Sequence, residues 1–314
     1  MKIIKKFYPL ILTILFSSSI FFFFKNDFKE IDFFDKFTFD IICAVIFLCF
    51  LYLITEALVL RNIVIFFKKN ITLVESLALM TSTYLLNSFV QLSGLGFRVA
   101  YLKEKKSINI KSFLFLSISS IFCELFIFSF FGLATTFLID LIVGVTLISK
   151  DIKLIFAFIA VSSFIYLFLL IYFIENLKSL TKNFNLKLVD KLIEFLFFIK
   201  EKNLLLFHLK QLTIFSIQYI IVAIIFIIIL KFFNNENYFY NSLLTASLVD
   251  LSFIINLTPF SLGISETFAY FGTRGTSLKI IEIIIAINSF RIGIILVSLI
   301  VTPMYFLISN FIKK

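Results

Sequence analysis

Six side chains carry charge where the surrounding sequence is apolar: Glu56, Arg98, Glu124, Asp250, Glu266 and Arg291, with Asp140 near the end of an apolar run. In lipid an ionisable group is costly unless it is paired or touches water, so each is a candidate for binding or for moving a proton. The arginines carry more weight than their number suggests. The chain has four arginines among 29 basic residues, and a guanidinium grips phosphate or carboxylate through two parallel hydrogen bonds. Residues that interrupt helices stand before each charged cluster: Asn87, Gln91, Ser93, Gly94 and Gly96 before Arg98, and Asn256, Thr258, Pro259, Ser261 and Gly263 before Glu266. Arg98 is expected either to anchor at lipid headgroups or to bind phosphate. Glu124 is expected either to relay a proton or to partner Arg98. Glu266 and Arg291 are expected to form a buried pair that locks the segment around Gly263 to the last apolar run, a role compatible with substrate contact. Asp250 is read as a brace for its broken helix, Glu56 as interfacial because Arg61 follows it, and His208, among lysines, as exposed.

Other chemistries find little support. There is no phosphate-binding loop, no HExxH and no GxSxG elbow, and a single His removes most imidazole-based dyads. Cys43, Cys49 and Cys123 lie inside apolar runs with no ligand spacing, so neither a disulfide framework nor a zinc site is indicated. No metal, cofactor or nucleic-acid partner is expected.

The elements that must hold these residues are membrane helices. Of 314 residues, 61% are hydrophobic and only 15% charged, and mean hydropathy is +1.08. Too few polar side chains remain to cover a soluble domain of this size. The expected fold is all-α, a polytopic membrane helical bundle, with residues 1–314 forming one integral-membrane domain. Crossing about 30 Å of hydrocarbon takes about 20 apolar residues, which marks six spans: Phe7–Phe24, Phe39–Leu60, Ser112–Leu138, Leu154–Ile174, Leu212–Phe232 and Ile280–Ile308. Two further runs, Ile71–Phe97 and Tyr240–Gly272, contain the helix breakers named above.

Charge bias suggests what those two runs do. If both crossed fully, the basic segment Arg98–Lys111 would lie outside, against the tendency of Lys and Arg to stay cytoplasmic. If each enters, breaks and returns to its own side, most of the 29 bases and both termini face the cytoplasm. The expectation is six spans and two re-entrant hairpins of opposite polarity, an arrangement that suggests an inverted repeat. Such breaks survive at membrane depth only where protein or a wet cavity satisfies the freed backbone groups, and transporters build midplane sites from them. The Lys-rich segment Glu175–Lys210 has apolar residues at helical spacing and is read as an amphipathic helix drawn to anionic headgroups.

The two breaks also resemble a known family. Asn87-Ser-Phe-Val-Gln-Leu-Ser-Gly-Leu-Gly-Phe-Arg98, followed by Tyr101-Leu-Lys103, resembles the first break of the transmembrane domain of lysylphosphatidylglycerol synthases and related flippase-like membrane proteins, with Gln91 near where the family has Pro. Leu257-Thr-Pro-Phe-Ser-Leu-Gly-Ile-Ser-Glu266 resembles the family's TP-x-x-x-G-x-x-E signature, and Asn288-Ser-Phe-Arg291 its later arginine. The resemblance runs from about Ile54 onward and excludes the soluble aminoacyl-transfer domain of the full synthases. It implies an inner-membrane protein that moves or handles a phospholipid or a polyprenyl-linked glycan intermediate, with Asn87, Arg98, Glu124, Thr258, Pro259, Gly263, Glu266 and Arg291 as substrate-contacting residues. Enzymes of lipid or glycan biosynthesis are the implied partners. A membrane transferase or a scaffold for such enzymes is the alternative.

Overall fold

The computed structural model describes residues 38–90, 92–143, 148–180, 204–233, 237–255, 261–274, 276 and 278–312. Among them are nine helices: α1 (Phe39–Phe66), α2 (Leu73–Phe89), α3 (Ser93–Lys106), α4 (Ile110–Val143), α5 (Lys150–Leu180), α6 (Leu204–Lys231), α7 (Tyr238–Ile255), α8 (Ile264–Gly272) and α9 (Ile280–Ile312). No strand is present among the described residues. Helices α1, α4, α5, α6 and α9 are long and apolar enough to cross a membrane. The chain is a bundle of membrane helices. The expected first span, Phe7–Phe24, lies outside the described residues, as does most of the expected amphipathic helix.

The first hairpin is visible in its bonds. Thr72 opens α2 by accepting from Glu75 N (3.1 Å), the half-box that begins many helices. At 17 residues α2 is about 25 Å long, short of a full crossing. It stops at Val90, and Leu92, at φ 61°, turns the chain into α3. There α3 runs back along α2 until Tyr101 Oη donates to Glu75 Oε1 (2.8 Å) and Lys106 Nζ to Glu75 Oε2 (3.0 Å). Glu75 stands in the first turn of α2 and its donors in the last two turns of α3, so the segment leaves where it came in.

The second hairpin closes the same way. Across the break, Ser261 Oγ donates to the Ser252 carbonyl (3.4 Å). The nine residues of α8 then return far enough for Gly272 to abut the Leu248 side chain, in the middle of α7. Gly263, at φ 80°, makes the turn into α8 in a region that favours glycine.

The bundle repeats itself with inversion. Helices α1 and α6 have 28 residues each, and α2 and α7 have 17 and 18. The gap from α1 to α2 (66 to 73) equals that from α6 to α7 (231 to 238). Packing follows the same correspondence: α1 lies on α2 as α6 lies on α7, α2 on α9 as α7 on α4, and α1 on α9 as α6 on α4. Helices α1 and α6 meet each other at the centre, side by side and antiparallel. Asn62 donates to the Phe207 carbonyl (3.4 Å), Gln211 to the Val59 carbonyl (3.4 Å) and Gln218 to Glu56 (2.9 Å), so one helix descends as the other rises. The relating axis is therefore perpendicular to the helices, and the hairpins enter from opposite faces, the geometry of inverted-repeat membrane proteins.

Helix α6 is the interior strut, with Val222, Ile225, Phe226, Ile229 and Leu230 fully buried. It begins eight residues before the expected span, because the basic residue Lys210 does not end it and His208 and Gln211 find buried partners. His208 Nε2 and the Ser119 hydroxyl lie 2.5 Å apart, His208 Nδ1 meets the Leu204 carbonyl (2.9 Å), and Gln211 donates to Ser120 (3.1 Å). His208 is 2% exposed, a correction to the surface position expected from its lysine neighbours. Helix α5 lies at the edge against α4 and turns Leu154, Phe158, Val161, Phe164 and Phe168 outward, an apolar face suited to lipid.

Candidate functional site

The charged residues fall into two groups with different chemistry. The first group is a closed lock on the second hairpin. Glu266, in the first turn of α8, accepts from Gly263 N (2.8 Å) and Ser265 Oγ (3.1 Å) through Oε2. Arg291 of α9 pairs with the same carboxylate through both terminal nitrogens and also reaches Ser265 Oγ, Asn288 Oδ1 (3.2 Å) and the Ser261 carbonyl (3.0 Å). Both side chains are buried, at 5% and 3% exposure. A buried ion pair offsets its desolvation only when further hydrogen bonds satisfy the remaining sites, and here the carboxylate is saturated. Gly263, Glu266 and Arg291 thus pin the start of α8 to α9. Thr258 and Pro259 lie outside the described residues.

The second group surrounds a cavity of about 300 Å³ at the break of the first hairpin. Asn87, Arg98 and Glu124 line it, together with Glu56, Tyr52, Tyr84, Leu92 and, from the second hairpin, Phe253. The sequence reading therefore divides: Asn87, Arg98 and Glu124 come together, while Glu266 and Arg291 stand apart from them in the lock. Asn87 holds the break in shape, since its Oδ1 accepts from Gly94 N (2.9 Å) and so caps α3.

Arg98 is held by its surroundings without being neutralised by them. Its Nη1 contacts Met80 Sδ (3.0 Å) and its guanidinium sits 5.8 Å from the centre of the Phe113 ring, over its face. No ion pair joins it to a carboxylate among the described residues, and its Nε, buried, has no hydrogen-bond partner. Glu56 attracts it at longer range. Arg98 is thus a half-buried cation in contact with a cavity, whereas Arg291 is paired with a carboxylate, although its Nε, like that of Arg98, is buried without a hydrogen-bond partner.

Glu56 belongs to the site and not to an interface. Helix α1 continues to Phe66, which places Glu56 almost three turns from its end. Its carboxylate accepts from Gln218 Nε2 (2.9 Å) and lies beside the Tyr52 and Tyr84 hydroxyls, which are 3.1 Å from each other. Asp250 is the other residue whose role differs from expectation. It sits on α7, 1% exposed, and neither carboxyl oxygen has a hydrogen-bond partner, so it braces nothing through hydrogen bonds. Among the described residues no cluster of His, Cys, Asp or Glu is arranged to hold a metal ion.

No family model, curated protein or solved structure matches the chain. What the fold and the site define on their own is a polytopic helical membrane bundle with two opposed hairpins and a charged cavity beside one of them.

Proposed function

We propose that the chain is a flippase-like transporter of the cytoplasmic membrane, with cytoplasmic termini, that handles the polar headgroup of a phospholipid or a polyprenyl-linked glycan intermediate. The carrying observation is Arg98: a guanidinium without an ion-pair partner among the described residues, facing a cavity between hairpins that enter from opposite faces. An unneutralised arginine at that depth is costly unless something anionic visits it, and phosphate is the anion that lipids and lipid-linked sugars share. Around it, Asn87, Glu56 and the two tyrosines supply donors and acceptors for hydroxyls. The sequence resemblance to the membrane domain of lysylphosphatidylglycerol synthases supports the same reading.

The test is headgroup translocation across vesicles reconstituted with purified protein, using fluorescent phosphatidylglycerol as probe. Wild-type protein is expected to move the headgroup, and Arg98→Ala to reduce the rate at least tenfold while retaining its elution profile and helical content. A chemically altered lipid whose headgroup stays on its original face would replace this reading with a transferase.

A further inference from the structure

The next step rests on the headgroup reading and adds its energetic coupling. Three ionisable groups line the cavity from three helices, Glu56 of α1, Arg98 of α3 and Glu124 of α4, and a fourth, Asp250 of α7, is buried near them. Asp250 is buried without a hydrogen-bond partner, and it is coupled electrostatically to Glu56, Glu124, Tyr52 and Tyr84. The remaining surroundings of Glu56 are neutral: Tyr52 on its own helix, Tyr84 of α2, Gln218 of α6, and Phe290 of α9 against Tyr52. Arg98 is thus the one base set against three carboxyl groups.

Those three carboxyls cannot all be ionised together. Like charges a few ångströms apart and largely withdrawn from water repel strongly, and a single guanidinium answers only one of them. The cluster therefore holds protons, and how many depends on what else is charged beside Arg98. An entering phosphate competes with Glu56 for that guanidinium, because Glu56 and Arg98 line the same cavity and Arg98 is the basic residue in its lining.

We propose that binding of an anionic headgroup at Arg98 is coupled to uptake of one proton by Glu56. The phosphate charge takes the place of the Glu56 carboxylate opposite Arg98, and one proton from water at the cavity mouth adds to a Glu56 carboxylate oxygen. The net charge of the cavity is unchanged by the exchange. Asp250 and Glu124 are positioning residues for this step, since their field opposes a second negative charge. Headgroup and proton then travel together, so a pH difference across the membrane drives net movement.

The experiment is calorimetric titration of the full chain in phosphatidylcholine nanodiscs with dihexanoyl phosphatidylglycerol, in buffers of different ionisation heat and over a pH series. Wild-type protein is expected to take up one proton per lipid bound, with affinity falling about tenfold per pH unit on the alkaline side. Glu56→Gln, whose amide stands for the protonated acid, is expected to bind with no proton uptake and no pH dependence. Asp250→Asn removes a negative neighbour, so the fall in affinity is expected to move to lower pH with the count still one. Binding by wild type without proton uptake, or uptake undiminished in Glu56→Gln, overturns the coupling and leaves the headgroup reading standing. No binding by wild type, or binding unaffected in Arg98→Ala, overturns both.

Discussion

Arg98 and Arg291 start from the same side chain and reach opposite states because of what each meets. Arg291 finds a carboxylate already oriented by Gly263 N and Ser265 Oγ, and the pair closes on itself. Arg98 finds a thioether and a ring face, which hold a cation without cancelling it. The two should therefore fail differently. Glu266→Gln leaves Arg291 buried and uncompensated, and is expected to lower stability by about 3 kcal/mol, read as a fall in the thermal unfolding midpoint in detergent. Arg98→Ala is expected to leave that midpoint nearly unchanged while removing transport. The sequence disclosed the charged candidates because charge in an apolar run is visible without a structure. It also paired Glu266 with Arg291, but it could not choose between the two roles open to Arg98, because whether that arginine is neutralised depends on side chains of other helices. Glu56 was hidden by a boundary: Arg61 read as the end of the span, yet α1 carries both residues.

Each hairpin is held where its two helices come closest. At Gly94 the approach is extreme, since a Cβ there would lie 2.2 Å from the Thr83 carbonyl oxygen. Backbone cannot move aside as a flexible side chain can, so Gly94→Ala must part α2 from α3, with an expected cost of about 2 kcal/mol. Because the same shift swings Arg98, transport is expected to fall further than the loss of folded protein accounts for, measured as rate per folded molecule. The breaks themselves were legible from Asn87, Gly94 and Gly263, residues that tolerate or enforce a turn. The extent of α6 was not, because Lys210 closes a basic segment in the sequence, and only the buried partners Ser119 and Ser120 show that His208 and Gln211 belong to the bundle.

On the scale of the whole molecule, the antiparallel pairing of α1 and α6 fixes the two hairpins to opposite faces. In a background with Cys43, Cys49 and Cys123 replaced, Glu104→Cys at the base of the first hairpin and Arg274→Cys beyond the second are both exposed. A membrane-impermeant thiol reagent is expected to label one from the outside of oriented vesicles and the other only after the membrane is opened. Labelling of both from one face would break the inverted arrangement. Opposite polarity was readable from the placement of lysines and suggested an inverted repeat, but the correspondence of the halves was not readable in their side chains: the halves share helix lengths and packing, while the first hairpin borders a charged cavity and the second ends in a closed lock.

The edge helix α5 acquires a purpose from this arithmetic. A half made of α1, a returning hairpin and α4 crosses the bilayer an even number of times, so a second half joined directly behind it would start on the same face and lie parallel to the first. One additional crossing changes the parity and turns the second half over. Helix α5, packed on α4 and with an apolar face turned outward, is that crossing. Its value to the protein is topological: an odd helix between the halves lets one continuous chain carry them upside down to one another.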